Sequence, residues 1–213
     1  MLIGLTGLSC AGKNFVARLL EERGLAVLDV DRLGHRATDQ AREAIAARFG
    51  GDLLMPDGTV DRRLLGQRVA GNPDALRELE DIIHPIVHGM TRQWLDECPA
   101  EQRVINAALL HRCEPFEALD CIILVKAPLW LRLLRAKKRD KLPFRRIFSR
   151  FWAQRHFHAQ YFAAKADIHI VRNRACCRLF KGLHNRALAR RLDSILLREG
   201  MVQRAWNRKH CDT

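Results

Sequence analysis

The sequence predicts an α/β fold built on a doubly wound parallel sheet. Three observations carry this. Residues 2–30 read strand, loop, helix, strand, the opening of a parallel unit. A loop of small residues, Gly7 to Asn14, joins the first strand to the first helix. Cys121–Val125 is an unbroken apolar run, as expected of a central parallel strand covered on both faces.

The elements follow in order. Leu2–Thr6 is a short apolar run ending in Gly7, and predicts a buried strand. From Lys13 to Arg23 the apolar residues Phe15, Val16, Leu19 and Leu20 have helical spacing, and Gly24 ends the helix. Ala26–Val30 predicts a second strand, and residues 32–49 read as helical. Pro56-Asp57-Gly58 is a turn, Asp61 is placed to cap a helix over 62–70, and Asn72-Pro73-Asp74 begins another. That helix runs toward His84-Pro85 and continues after a kink to about Leu95. Arg103–Ala108 is a third strand and Cys121–Val125 a fourth. Residues 130–139 read as a basic helix, Lys141-Leu142-Pro143 as a break, and 145–164 as a basic, aromatic helix. Ile168–Val171 is the last strand, and 174–198 a closing basic helix. The expected organisation is one domain over 1–198, with a helical insertion at about 55–100, a lid at about 138–156 and a basic tail over 199–213. Sheets of this kind bind ligands at the carboxyl ends of their strands, where Thr6, Asp29 and Ala107 fall.

Gly7-Leu8-Ser9-Cys10-Ala11-Gly12-Lys13-Asn14 fits GxxxxGK, with Asn where Ser or Thr is usual. With a strand before it and a helix after, this is the P-loop NTPase-type arrangement. Small residues let the backbone wrap an anion, so that consecutive N–H groups face a phosphate at the positive end of the helix. Gly7, Cys10, Ala11, Gly12, Lys13, Asn14 and Phe15 are therefore the candidate ATP-binding residues. Lys13 is the candidate for stabilising charge on the transferring group. Asn14 has an amide oxygen that can ligate Mg²⁺ but no hydroxyl proton, which makes it the candidate metal ligand.

Asp29 and Asp31 close the second strand, where side chains two apart face the same way. A carboxylate beside the phosphate loop can take the acceptor hydroxyl's proton or hold Mg²⁺ through water. Asp31 reads equally well as the cap of the following helix.

Composition narrows the class. Of 213 residues, 48% are apolar, enough to bury a core. No apolar run reaches the roughly 18 residues of a membrane span, and the N-terminal run is too short for a signal peptide. The seven cysteines are irregularly spaced without a CxxC pair, as expected of reduced thiols in a cytoplasmic protein. The net charge of +13 is lopsided. Residues 1–131 hold 15 Lys/Arg and 19 Asp/Glu, whereas residues 132–213 hold 22 and 5. Such a field attracts polyanions: nucleotides, coenzyme phosphates, RNA or an acidic membrane surface.

Ile3-Gly4-Leu5-Thr6-Gly7 leading into the loop, then Asp29-Val30-Asp31 with His35, resembles the dephospho-CoA kinase family. More of that family's pattern follows in order. Asp57-Gly58-Thr59-Val60-Asp61-Arg62 resembles its DGxxDR turn, and Leu79 to Pro85 its LExIxHP segment. Leu124 to Pro128, then Arg135 and Arg139-Asp140, resembles the strand and basic helix before its lid. Gln154, Ala166-Asp167 and Asn173 match further positions, so the likeness covers about residues 2–173.

The resemblance implies transfer of the ATP γ-phosphoryl group to the ribose 3′-hydroxyl of dephospho-CoA, with Mg²⁺, as the last step of coenzyme A biosynthesis. It implies Asp31 as base, Lys13 as phosphate-binding lysine, and Arg139 and Arg135 as arginines closing over the phosphates. It places Asp29, His84 and Leu109 on the dephospho-CoA side. His84 before Pro85 also reads as a structural residue at a kink. The sequence departs from the family at Leu8, Ser9 and Cys10, where glycine-type residues are usual. It departs again at Ala108-Leu109-Leu110-His111-Arg112, where the family's acidic residue is lost. Leu109 and Leu110 remain candidates for an apolar pantetheine groove.

Two alternatives stand beside this reading. One is another nucleoside or nucleotide kinase. The other is a catalytically weakened protein binding RNA or another polyanion through its basic half. There Phe148, Phe151, Trp152, Phe157, Tyr161 and Phe162 interleave with ten Lys/Arg between residues 132 and 155. No membrane span is expected, and the sequence sets no oligomeric state.

Overall fold

The computed structural model describes residues 1–140, 148, 151, 166–174 and 181–200. Along the chain run β1 (Leu2–Gly7), α1 (Lys13–Glu21), β2 (Ala26–Asp29), α2 (Val30–Gln40), α3 (Arg42–Phe49), α4 (Arg62–Val69) and α5 (Pro73–Glu97). Then follow β3 (Arg103–Asn106), β4 (Cys121–Lys126), α6 (Leu129–Asp140), β5 (Asp167–Arg172) and α7 (Lys181–Arg198). The break expected at 141–143, the segment 175–180 and the tail after Gly200 lie outside the described residues. The chain forms two compact units, one of Met1–Leu28 with Pro99–Thr213, the other of Asp29–Cys98.

In the first unit the strand order is β2-β3-β1-β4-β5. β1 pairs in parallel with β3 and β4, and β4 with β5. The central position of β1 explains its composition: all six residues are buried. On one face, Ile3, Leu5, Ile123, Val125 and Val171 pack with Val16 and Leu20 of α1 and Leu188, Leu192 and Leu196 of α7. On the other, Gly4 lets neighbouring side chains close onto β1. A Cβ there would lie 2.5 Å from the Leu110 Cδ2. Leu110 is therefore fully buried core rather than groove lining, while Leu109 beside it is exposed.

Arg23 fastens α1 to α7. Its side chain is 8% exposed and donates from Nε to Asp193 Oδ1 at 2.6 Å and from Nη1 to the Leu19 carbonyl at 2.6 Å. Removing the carboxylate leaves a guanidinium with little water and one partner fewer. Asp193→Ala is expected to cost about 2–3 kcal/mol in urea unfolding. A loss within about 0.5 kcal/mol would mean that solvent screens the pair.

The second unit is helical, around Ile45, Phe49, Leu53, Val60, Leu65, Val69 and Leu79. Its helix starts follow from local chemistry. Asp61 accepts from the Arg63 and Leu64 N–H groups at 2.9 and 3.0 Å, and Asn72 from those of Asp74 and Ala75 at 3.1 Å each. Pro73 opens α5, where no N–H is missed. The Asp57–Arg62 motif is a structural tie. Asp57 Oδ1 accepts from Thr59 N–H and Oγ1, Asp61 caps α4, and Arg62 reaches Asp39 at 3.1 Å.

α5 runs unbroken through Pro85. The proline ring removes one helical hydrogen bond, but Leu79, Ile82, Ile83 and Ile86 around it pack into one core. Among the described residues no helix is long and apolar enough to cross a membrane.

Candidate phosphate-binding site

The phosphate loop springs from the C-terminal end of β1, which is pinned by its partner. A Cβ on Gly7 would lie 2.6 Å from the Val125 carbonyl oxygen, so only glycine lets β1 turn out of the sheet there. Gly12 is the N-cap of α1 at φ 98°, a left-handed conformation, and has no side-chain cap. The first N–H groups of α1 thus have no capping side chain and suit an anion. Lys13 is half-buried and Asn14 exposed in that first turn.

Three residues from distant parts of the chain brace the loop from its carbonyl side. Arg132 Nε donates to the Ser9 carbonyl at 2.8 Å. Arg135 Nη1 donates to the Cys10 and Ala11 carbonyls, both at 3.1 Å. Asn173 Nδ2 donates to the Ala11 carbonyl at 3.0 Å, and its Oδ1 accepts from Arg135 Nη2 at 3.2 Å. With the Ser9, Cys10 and Ala11 carbonyls so engaged, the loop backbone is held in place, and its Ala11 N–H closes a turn onto the Leu8 carbonyl at 2.9 Å.

Arg132 is 5% exposed, and its guanidinium lies 4.3 Å from the centre of the Phe151 ring. Burial pushes its pKa down, and the Cys10 thiol acts in the opposite sense. Phe151 is itself 6% exposed and packs with Ala136, Leu133 and Cys10. It is core, whereas Phe148 is exposed; Trp152, Phe157, Tyr161, Phe162 and Gln154 lie outside the described residues. Sequence reading missed Arg132 and Phe151 as loop supports. It placed Asn173 as a matching position without a task, because nothing local ties residues 132–173 to residue 11.

A Cβ on Gly12 would overlap the Asn173 amide nitrogen. Left-handed strain costs about 1–2 kcal/mol, and displacing Asn173 costs its amide the bonds to the Ala11 carbonyl and Arg135, about 1–3 kcal/mol together. Gly12→Ala is therefore expected to lower unfolding free energy by about 2–4 kcal/mol in urea titration. A neutral Gly12→Ala would contradict the bracing. Cys10 holds φ 61°, alone among described non-glycine residues. Strain relief in Cys10→Gly is offset by backbone entropy and lost packing, so stability should change by under about 1 kcal/mol. The β-branched Cys10→Val should cost about 2 kcal/mol. Thermal melts of the two variants read the difference.

At the C-terminal ends of β4 and β5, Lys126, Ala127, Pro128, Arg172 and Arg174 line a cavity of about 200 Å³. Its charge suits a phosphorylated ligand. Asn106, at the end of β3, is 1% exposed, and its Oδ1 is buried without a partner among the described residues.

Arg139 ends α6 in a two-point ion pair with Asp140, at 2.6 and 3.1 Å. Hydrogen bonding to Asp140 raises its pKa. His111 has its pKa lowered by burial first and by Arg112 second.

In the helical unit, the expectation that Asp29 and Asp31 share a strand face is corrected. The strand stops at Asp29, which caps α2 by accepting from the Arg32 N–H at 3.3 Å. Asp31 lies in the first turn of α2, exposed. His84 stacks on His88, with ring centroids 5.9 Å apart.

Comparison with known proteins agrees. The family model described as "Dephospho-CoA kinase" matches residues 1–176. A dephospho-CoA kinase from Treponema pallidum is 34% identical over 211 residues, covering 94% of this chain and 96% of that one. The crystal structure of TT1252 from Thermus thermophilus matches with a TM-score of 0.74 at 29% identity, over 93% of this chain and 97% of that one. A dephospho-CoA kinase structure from Campylobacter jejuni shares the fold, with a TM-score of 0.57 at 19% identity over 93% and 96%. With a phosphate loop built and braced as above, and with likeness of this extent, the chain belongs to the dephospho-CoA kinase family.

Proposed function

We propose that the chain transfers the γ-phosphoryl group of ATP to the ribose 3′-hydroxyl of dephospho-CoA, giving coenzyme A and ADP in the last step of coenzyme A biosynthesis. The observation that carries this is the phosphate loop at the N-terminus of α1, braced by Arg132, Arg135 and Asn173, in a chain of this family.

In this reading Gly7 to Phe15 cradle the ATP phosphates, and Lys13 bears the charge that develops as the group moves. Asp31 takes the proton of the 3′-hydroxyl as its oxygen bonds to phosphorus, and the bond to the ADP oxygen breaks. Arg139 exchanges Asp140 for phosphate oxygens. Arg135 holds the loop carbonyls, a positioning task rather than direct phosphate contact. Asp29, His84 and Leu109 are assigned to the dephospho-CoA side. The donor set fits Mg²⁺: Asn14 offers an exposed amide oxygen in the first turn of α1, and Mg²⁺ needs only one or two protein oxygens beside phosphates and water. When bound, the ion neutralises charge on the phosphates. The free thiols of Cys10, Cys98, Cys113 and Cys121 fit a reducing cytoplasm.

The test is an acceptor panel in a coupled ADP-release assay with Mg·ATP. Turnover with dephospho-CoA should exceed that with adenosine and common nucleotides by at least about 10²-fold. Equal turnover with another nucleoside or nucleotide would overturn the assignment.

A further inference from the structure

At the end of the sheet away from the phosphate loop, three side chains of different chemistry converge. β4 begins at Cys121, and Ile123 lies opposite His169 of β5 in parallel register. Side chains alternate along a strand, so Cys121, Ile123 and His169 share one face. This is the face covered by α7: Cys121 and Ile123 pack with Leu192, Ile195 and Leu196. Glu199 follows α7 directly and meets the His169 Nε2 through its Oε1 at 2.7 Å. The Cys121 Sγ, a His169 ring nitrogen and a Glu199 carboxylate oxygen all lie within 4.8 Å of one another. Cys121 is fully buried, and the His169 and Glu199 side chains are 8% and 15% exposed.

The position is separate from the site already described. Gly7 pairs with Val125, four residues along β4 from Cys121, or about 13 Å of strand. All three residues lie in the sheet unit.

The plain reading is a packing thiol beside a hydrogen bond that ties the end of α7 to β5. One observation goes further. Thiol, imidazole and carboxylate together form a zinc-type donor set, brought together from three separate elements. On binding a cation, a coordinated thiol loses its proton to solvent.

We propose that Cys121, His169 and Glu199 bind one divalent transition-metal ion of the zinc class, with a fourth position for water. Bonds of about 2.0–2.3 Å in a tetrahedron put donor atoms about 3.3–3.8 Å apart. The three donors reach that spacing with shifts of about 1 Å, and Glu199, beyond the helix end and before Gly200, is placed to make them. The ion clamps β4, β5 and the end of α7. Its thiolate ligand distinguishes it from the Mg²⁺ that accompanies ATP, which takes oxygen ligands.

The experiment strips full-length protein with chelator and titrates it with Co²⁺ as a spectroscopic stand-in, then with Zn²⁺. The expected result is one equivalent of Co²⁺ with a sulfur-to-metal charge-transfer band, abolished by Zn²⁺. Affinity should fall at least about 10²-fold in Cys121→Ser and in Glu199→Gln. The second variant keeps a hydrogen-bonding partner for His169, so a folding failure of the first leaves the test intact. Cys176→Ser/Cys177→Ser should keep the band. Zn²⁺ should raise the melting temperature of the parent protein but not of Glu199→Gln. Absence of the band at stoichiometric Co²⁺, or an unchanged band in Cys121→Ser or Glu199→Gln, would overturn the proposal. The His169–Glu199 contact would then be a structural hydrogen bond only. None of these readouts depends on kinase turnover.

Discussion

Lys13→Ala should lower kcat by about 10²–10³-fold while leaving the fold intact. Lys13 opens α1 directly after the left-handed Gly12, half-buried, on a helix whose packing face is Val16, Ala17 and Leu20. Its removal takes no side chain from that face, and alanine is the best helix former, so α1 persists. What goes is a compact positive charge beside the N–H groups proposed to receive the phosphates. Phosphoryl transfer offers the protein little to do but position and stabilise charge, so the loss falls on the transition state. Lys13→Arg should not rescue it, because a planar fork does not occupy the place of an ammonium. Steady-state kinetics with unchanged circular dichroism is the check. A loss under tenfold would remove Lys13 from the chemistry.

Asp31→Asn should lower kcat by about 10²–10⁴-fold with the KM for ATP little changed. The substitution keeps size and shape and removes the proposed proton acceptor. The geometry of α2 makes the test clean. Asp29, not Asp31, caps that helix, so Asp31→Asn should cost under about 1 kcal/mol, the worth of an acid in a first helical turn. Asp29→Ala, by contrast, should lose a cap worth about 1 kcal/mol. Steady-state kinetics with circular dichroism as the folding control is the check, and a loss under tenfold would assign the proton transfer to another group.

The two aspartates also show where local sequence patterns stop being informative. A strand and a helix meet at Val30, and alternation and capping make opposite statements about a residue at such a junction. The side chain of Asp29 decided it by bonding the Arg32 N–H. Where one local signal acted alone, the sequence sufficed. β1 and β4 are read from apolar continuity, α4 from Asp61, and the start of α5 from Asn72-Pro73. α5 continues through Pro85 because the burial of Leu79, Ile82, Ile83 and Ile86 outweighs one lost hydrogen bond.

The phosphate loop was legible as a motif, but its support was not. Arg132, Arg135 and Asn173 sit 123 to 162 residues along the chain from the carbonyls they hold. Leu110 reads as readily for a groove as for the core until Gly4 is seen beneath it. The basic run from residue 132 resembles a polyanion surface in composition. In the structure Arg132 and Arg135 are engaged with loop carbonyls, and Phe151 lies buried beside Arg132 rather than presented for stacking.

Product analysis tests the central claim most directly. Purified protein is incubated with Mg·ATP and dephospho-CoA, and the product is identified by mass and by phosphorus NMR, with ADP measured in the same samples. The account predicts coenzyme A carrying a new ribose 3′-phosphate, formed in equal amount to ADP. ADP release without a phosphorylated coenzyme, or phosphate at another hydroxyl, would contradict it.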